Sequence, residues 1–133
     1  MVSGCCPTPD DLPCFVEANR DALVAATQQL IRIPSVRSDP LPGAPAGLDV
    51  STALDAALAL CDGMGFETVN LDGYIGYAEY GSGDEYVAVL GHLDVVPTGD
   101  VDSWTYPPFG AEIHDGAIYG RGLYELMRYW DED

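Results

Sequence analysis

Apolar residues recur at the spacing of a helix in two stretches of the first half of the chain. The first stretch is formed by Val16, Leu23, Ala26 and Leu30. Their common face predicts one helix, with Asp10 or Asp11 as its N-cap. The end of this helix is expected near Ile33, because Pro34 disfavours the helical conformation in the residue before it.

The second stretch follows a segment rich in proline and glycine at 38–47, which is predicted to be a loop. Its apolar positions are Val50, Ala53, Leu54, Ala57, Leu58 and Cys61. These positions share one face and predict a second helix that packs through that face. Asp49 is expected to cap its beginning, and Gly63 or Gly65 to end it in a left-handed conformation.

After residue 65 the pattern changes to that of short strands. Hairpins are predicted at 66–71 and 74–80 around Asp72-Gly73, and at 111–113 and 117–119 around Asp115-Gly116. Between them, 86–90 is a continuous apolar run, which is typical of a strand buried on both faces. Helices followed by strands predict an α/β fold. Because two helices cannot cover both faces of such a sheet, we expect the front part of a larger domain.

Composition narrows the classes of partner. The 133 residues include 22 Asp and Glu but only 5 Arg and no Lys, so the formal net charge is −17. This charge repels phosphates, and neither a nucleic acid nor a membrane is expected as a partner. The hydrophobic fraction of 47% argues against a disordered chain. The four cysteines form no CxxC pair and are expected to be free thiols in the cytoplasm.

Candidate chemistry follows directly after the apolar run at 86–90. His92 and Asp94 are two residues apart, so they would share a face if the strand continued. A carboxylate beside an imidazole orients the ring and raises its basicity as a metal ligand. Gly91 would leave room for a metal or substrate. From this spacing alone a metal site and a hydrogen-bonded structural histidine both remain open.

A larger set of motifs surrounds this pair. It comprises 91–100 (GHLDVVPTGD), Trp104, Pro108-Phe109, and 113–122 (IHDGAIYGRG), with 30–36 (LIRIPSV), Leu54-Asp55, Gly65-Phe66 and 70–74 (NLDGY) upstream. In this order the motifs closely resemble the M20 family of metallopeptidases. The nearest branch is that of the bacterial dipeptidases of the PepV and Xaa-His dipeptidase type. The resemblance spans roughly residues 12–122.

The resemblance implies a metal-dependent hydrolase that cleaves small peptides and holds two zinc ions, with manganese or cobalt as alternatives. His92 matches a histidine ligand of one metal, and Asp94 matches the catalytic-site aspartate that orients this histidine. The implied fold is a partial three-layer α/β sandwich with a mixed sheet, of the zinc-peptidase type and truncated after the first half of the catalytic domain. Residues 1–11 are then a loose arm, 12–122 the domain and 123–133 a divergent tail.

The chain departs from the family pattern after Gly122. Where the family has the aspartate that bridges the two metals, this sequence has Glu125, and the second aspartate of the motif is Leu126. The general base of the family is not matched in these 133 residues. We therefore expect a chain that is inactive alone, derived from an interrupted reading frame, and that forms a homodimer or pairs with a missing C-terminal portion. The alternative is a noncatalytic α/β fragment or binding module.

Several other residues have competing interpretations. His114 is expected to be an exposed turn residue rather than a second ligand. Arg121 would contact either a substrate carboxylate or one of the many acidic side chains. The aromatic residues Trp104, Tyr106 and Phe109 are expected to pack over a long loop rather than to line a pocket.

Overall fold

The computed structural model describes residues 12–122, which form three helices and two separate antiparallel hairpins. The helices are α1 (Leu12–Ala18), α2 (Arg20–Ile31) and α3 (Leu48–Gly63). The strands are β1 (Glu67–Leu71), β2 (Ile75–Glu79), β3 (Glu112–His114) and β4 (Ala117–Tyr119), and a 3₁₀ turn covers Val101–Ser103. No helix of these described residues is long and apolar enough to span a bilayer.

The first predicted helix is broken into α1 and α2 at Asn19. The side-chain amide of Asn19 donates a hydrogen bond of 2.8 Å to the carbonyl of Phe15 and competes with the helical backbone bonds there. Its backbone leaves the helical region, with φ −108° and ψ 5°. Asp21 then lies in the first turn of α2, where a carboxylate interacts favourably with the helix dipole.

Helix α3 and the first hairpin form the part of the fold that the sequence predicted best. Gly47, not Asp49, takes the N-cap position, and Asp49 lies in the first turn without a side-chain capping bond. Gly65 adopts a φ of 91° and ends the helix as predicted. Strands β1 and β2 pair in antiparallel register around Asp72 and Gly73, which have positive φ values of 54° and 75°.

The first hairpin packs on α3 at a position where only glycine fits. A Cβ atom at Gly76 in β2 would lie 2.8 Å from Leu54 Cδ1 and 2.9 Å from Leu58 Cδ1. The two leucines therefore lie directly on the backbone of β2. This contact confirms that the apolar face of the second predicted helix is a packing face.

Helix α2 and the second hairpin form the other contact region. The side-chain amide of Gln28 donates a hydrogen bond of 2.7 Å to the carbonyl of Ala111, which is completely buried. Ile31, 8% exposed, packs against Gly120, where a Cβ would collide with its side chain. The apolar core of the described residues is small and consists of Ile31, Ala44, Ala53 and Ala111.

The predicted strand at 86–90 is not formed, and this prediction was wrong. Tyr86, Val87, Val89 and Leu90 are 90 to 98% exposed. The physical reason is that a strand needs neighbours for its N–H and C=O groups, and within residues 12–122 no strand lies beside this segment. Helices and strands together agree with an α/β class. The three-layer sandwich with a mixed sheet is not present in residues 12–122, whose two sheets are antiparallel hairpins.

Candidate metal-binding segment

The histidine and aspartate singled out in the sequence are in contact. His92 Nδ1 lies 2.9 Å from the backbone carbonyl oxygen of Asp94 and 3.2 Å from its carboxylate Oδ1. Because both partners are acceptors, the ring is held with its proton on Nδ1, which leaves a lone pair on Nε2. The His92 side chain is 80% exposed, so Nε2 belongs to an accessible imidazole. This is the arrangement of a histidine that binds a metal through one nitrogen and is oriented through the other.

The backbone around Asp94 is attached to the end of the first helical region. Ser35, which is only 3% exposed, donates its hydroxyl to the carbonyl of Leu93 at 2.6 Å. The Val95 N–H donates to the carbonyl of Ser35 at 3.0 Å, and Val36 forms an isolated parallel bridge with Val95. The segment that carries the candidate site therefore has a fixed connection to the chain after α2.

Arg121 binds the backbone of the residues that follow Asp94 and Val95. Its Nε donates to the carbonyl of Val96 and its Nη2 to the carbonyl of Pro97, both at 3.0 Å. The guanidinium also lies over the ring of Trp104, 5.8 Å from the centroid. Within residues 12–122 Arg121 contacts backbone carbonyls and no acidic side chain, so the predicted ion pair is not formed there, and the contact with a substrate carboxylate stays a prediction. Its role in the structure is to clamp the loop after Asp94.

Gly122 beside Arg121 allows this close approach, and the role predicted for Gly91, room for a metal or substrate, stays a prediction. At Gly122, whose φ is 89°, a Cβ would lie 2.9 Å from Val95 Cγ1. At Gly91 a Cβ would meet nothing within 4 Å. The second motif therefore packs against the first through Gly122, and the space at Gly91 is open with or without a side chain.

The second histidine lies in a different environment. His114 is half-buried at the end of β3, where its ring stacks on Tyr106 with centroids 3.8 Å apart. Its Nε2 lies 2.8 Å from Glu112 Oε2, and Tyr119 also contacts this aromatic group. His114 is thus half-buried, and not the exposed turn residue that was expected. The aromatic packing predicted for Tyr106 is confirmed, and Trp104 donates its indole N–H to the carbonyl of Thr98 at 3.0 Å.

The residues expected to complete a metal site are not assembled in the described part. Within residues 12–122, no three His, Cys, Asp or Glu side chains lie close enough together to hold a metal ion. Glu125, the predicted bridging ligand, lies outside the described residues. His92 and Asp94 fit the role of one metal-binding histidine and its orienting partner, and the rest of the ligand set is not supplied by 12–122. Cys14 and Cys61 are free thiols, as predicted for them.

Two positions with a structural role in this segment were not recognised from the sequence. Ser35 was part of a motif but had no assigned function, and Arg121 was expected to contact a carboxylate. Both act through backbone groups that are distant in sequence, and Ser35 lies 58 positions from the carbonyl that it binds. No local periodicity reports such contacts. The only signals available were a small hydroxyl residue directly after Pro34 and an arginine between two glycines.

Comparison with known proteins shows which proteins the chain is similar to. The sequence profile of the peptidase family M20/M25/M40 matches residues 88–125, which include the His92 and Asp94 segment. The chain is 46% identical over 105 residues to a protein named "Putative dipeptidase YtjP" from Bacillus subtilis (strain 168). It is 39% identical over 113 residues to the "Beta-Ala-Xaa dipeptidase" of Lactobacillus delbrueckii subsp. lactis. These matches confirm the predicted resemblance, and the chain is M20 dipeptidase-like over the matched part.

The matched part is large for this chain and small for its relatives. The alignments cover 77% and 81% of the chain. They cover only 22% and 23% of the two relatives, so the chain spans about a fifth of the length of the curated proteins it matches. What these relatives do as whole proteins is therefore a basis for proposals about this chain.

Proposed function

We propose that this chain carries part of the active site of a metal-dependent hydrolase that cleaves small peptides. The observation that supports the proposal most directly is the contact between His92 Nδ1 and Asp94, within the segment matched by the peptidase family. In this proposal Asp94 orients the ring, and His92 offers Nε2 to one metal ion. Zinc is the metal proposed first, as one of two ions, with manganese or cobalt as alternatives.

The metal would supply Lewis acidity and a nucleophilic water when it is bound. The residues of this chain would bind it and keep the imidazole in the tautomer that can coordinate. Asp94 does this through two acceptors, its backbone carbonyl at 2.9 Å and its carboxylate at 3.2 Å. Glu125 is proposed as a further ligand from its position in the motif alone.

We further propose that the 133-residue polypeptide does not turn over dipeptides by itself. A zinc site takes about four ligands, and the sequence contains only two histidines. One of them, His114, is engaged with Glu112 and stacked on Tyr106. A positioned base contributes roughly 10²- to 10⁴-fold to such reactions, and the general base of the resembled family has no match in the 133 residues.

Isothermal titration calorimetry with ZnCl₂ tests the metal proposal. The parent chain is compared with His92→Ala and with His114→Ala, which removes an imidazole outside the proposed site. About 0.15 M salt screens the general attraction of a chain with a formal charge of −17 for cations. We expect His92→Ala to weaken zinc binding by about tenfold or more, and His114→Ala to bind like the parent.

Two outcomes would contradict these proposals. Equal zinc affinity of the parent and His92→Ala would remove the assignment of His92 as a ligand. Dipeptide hydrolysis by the zinc-loaded parent, absent from His92→Ala, would remove the proposal that the chain is inactive alone.

The second candidate is a noncatalytic α/β fragment that acts by binding. It is favoured by the segment 86–90, whose large side chains are almost completely exposed. Such a segment can be covered by a second copy of the chain or by a separate C-terminal portion of a dipeptidase, which would add strands to it. Sedimentation of the chain alone separates these cases, because only the first gives a concentration-dependent dimer. The cytoplasmic location and the absence of nucleic-acid and membrane partners stay predictions.

A further inference from the structure

The polar side chain of Ser35 is buried at the point where the candidate segment meets the chain after α2. The residue is 3% exposed and is the buried polar residue of the described core. Its hydroxyl donates to the Leu93 carbonyl at 2.6 Å, and its own carbonyl accepts the Val95 N–H at 3.0 Å. One residue therefore binds the backbone on both sides of Asp94.

These two bonds determine where the acceptors for His92 lie. The peptide groups before and after Asp94 are both tied to Ser35, so rotation about the backbone of Asp94 is restricted. The carbonyl of Asp94 is itself the nearer acceptor of His92 Nδ1, at 2.9 Å. The chain before this point offers no comparable attachment, because residues 81–92 make no backbone hydrogen bond within 12–122. The orientation of the imidazole thus depends on the attachment that begins at Ser35.

We propose that Ser35 is a positioning residue for the His92–Asp94 pair. Its hydroxyl holds the backbone that presents the Asp94 carbonyl, and thereby keeps the His92 proton on Nδ1 and the lone pair on Nε2. The importance of this role for a metal site rests on the proposed function. The positioning itself concerns the metal-free chain and can be measured there.

The test is ¹⁵N NMR of the two histidine rings at about pH 8, where an ordinary imidazole is neutral. The variants are Ser35→Ala, which removes the donor, and Ser35→Thr, which keeps it. Ser103→Ala is the matched control, because Ser103 also donates its hydroxyl to a backbone carbonyl, that of Asp100 at 2.7 Å. His114 serves as an internal reference, since its partner is Glu112.

We expect the parent to show a His92 ring with the proton on Nδ1. In Ser35→Ala the ring signals shift toward the mixture of tautomers of a free imidazole. Ser35→Thr and Ser103→Ala keep the parent pattern, and the His114 signals do not change in any variant. A Ser35→Ala variant that retains its hairpin signals and shows the parent pattern for His92 would overturn the proposal.

A second measurement needs no variant and covers the case in which Ser35→Ala does not fold. In the parent chain, the Val95 amide donates to Ser35, and the Gly91 amide has no acceptor within the described residues. We expect Val95 to exchange with solvent deuterium at least roughly tenfold more slowly than Gly91, after correction for sequence effects. Equal rates would also overturn the proposal. Neither measurement uses zinc, so a negative zinc titration does not contradict the positioning role of Ser35. A negative result in the NMR or exchange measurement likewise does not decide whether His92 is a metal ligand.

Discussion

The variant Leu90→Ala tests whether segment 86–90 is exposed, as in the structure, or buried, as the sequence predicted. Leu90 is 98% exposed, so Leu90→Ala withdraws almost no area from a protein interior and opens no cavity. We expect the free energy of unfolding to change by less than about 0.5 kcal/mol. If the segment were a strand buried on both faces, the same truncation would cost about 2–5 kcal/mol.

Leu58→Ala is the matched control, because it removes the same atoms from a packed position. Leu58 is half-buried in α3, and its two Cδ atoms lie 2.9 and 3.0 Å from the position of a Cβ at Gly76. This truncation is expected to cost about 1–3 kcal/mol, toward the lower end of the range for core leucines. Urea denaturation followed by circular dichroism measures both values, with the midpoint compared at constant m-value. A loss in Leu90→Ala as large as that in Leu58→Ala would refute the exposed state of the segment.

Two further predictions concern the turns and the clamp. Gly43 and Gly73 have nearly equal φ values, 76° and 75°. A Cβ at Gly73 would lie 2.5 Å from the carbonyl oxygen of Gly43, whereas a Cβ at Gly43 would meet nothing within 4 Å. Gly43→Ala should therefore cost about 1–2 kcal/mol, and Gly73→Ala about 1–3 kcal/mol more, with equal losses in thermal denaturation contradicting the contact. Arg121→Lys should lose about 0.5–1.5 kcal/mol, because one ammonium group does not reproduce the two-pronged contact of a guanidinium with two carbonyls. The control is Arg32→Lys, at an exposed arginine whose side chain makes no hydrogen bond within 12–122. If both substitutions lowered the free energy of unfolding equally in urea denaturation, the clamp by Arg121 would be contradicted.

The elements that the sequence predicted well are those whose signals are local. The spacing of Leu54 and Leu58 predicted a helix face that packs on a neighbour, and both side chains do lie on β2. The turn Asp72-Gly73 predicted the first hairpin, because both residues can adopt positive φ. The break at Asn19 was not predicted, since apolar periodicity continues across it and the competing side-chain bond to Phe15 is not visible as a pattern.

The candidate site was predictable only in part, for the same reason. The two-residue spacing of His92 and Asp94 indicated that the side chains could meet, and they do, although without the strand that was expected to present them. The strand prediction failed because apolar composition reports what a segment can bury, and not whether neighbours are present to bury it. Ser35 and Arg121 could not be assigned their roles, because their partners are backbone carbonyls far along the chain.

The distance in sequence between Ser35 and the segment it holds has an energetic consequence. Joining groups that are 58 positions apart closes a long loop, and the chain entropy lost on closure is about 4 kcal/mol. The turn between β1 and β2 joins Leu71 to Ile75 for only about 1 kcal/mol on the same scale. The two hydrogen bonds of Ser35 offset only part of the larger entropy loss. The hairpin on α3 thus closes a short loop at low entropic cost, whereas the attachment of the His92 segment at Ser35 closes a long one. We expect a ligand that bridges this segment to the rest of the chain to offset part of that larger cost.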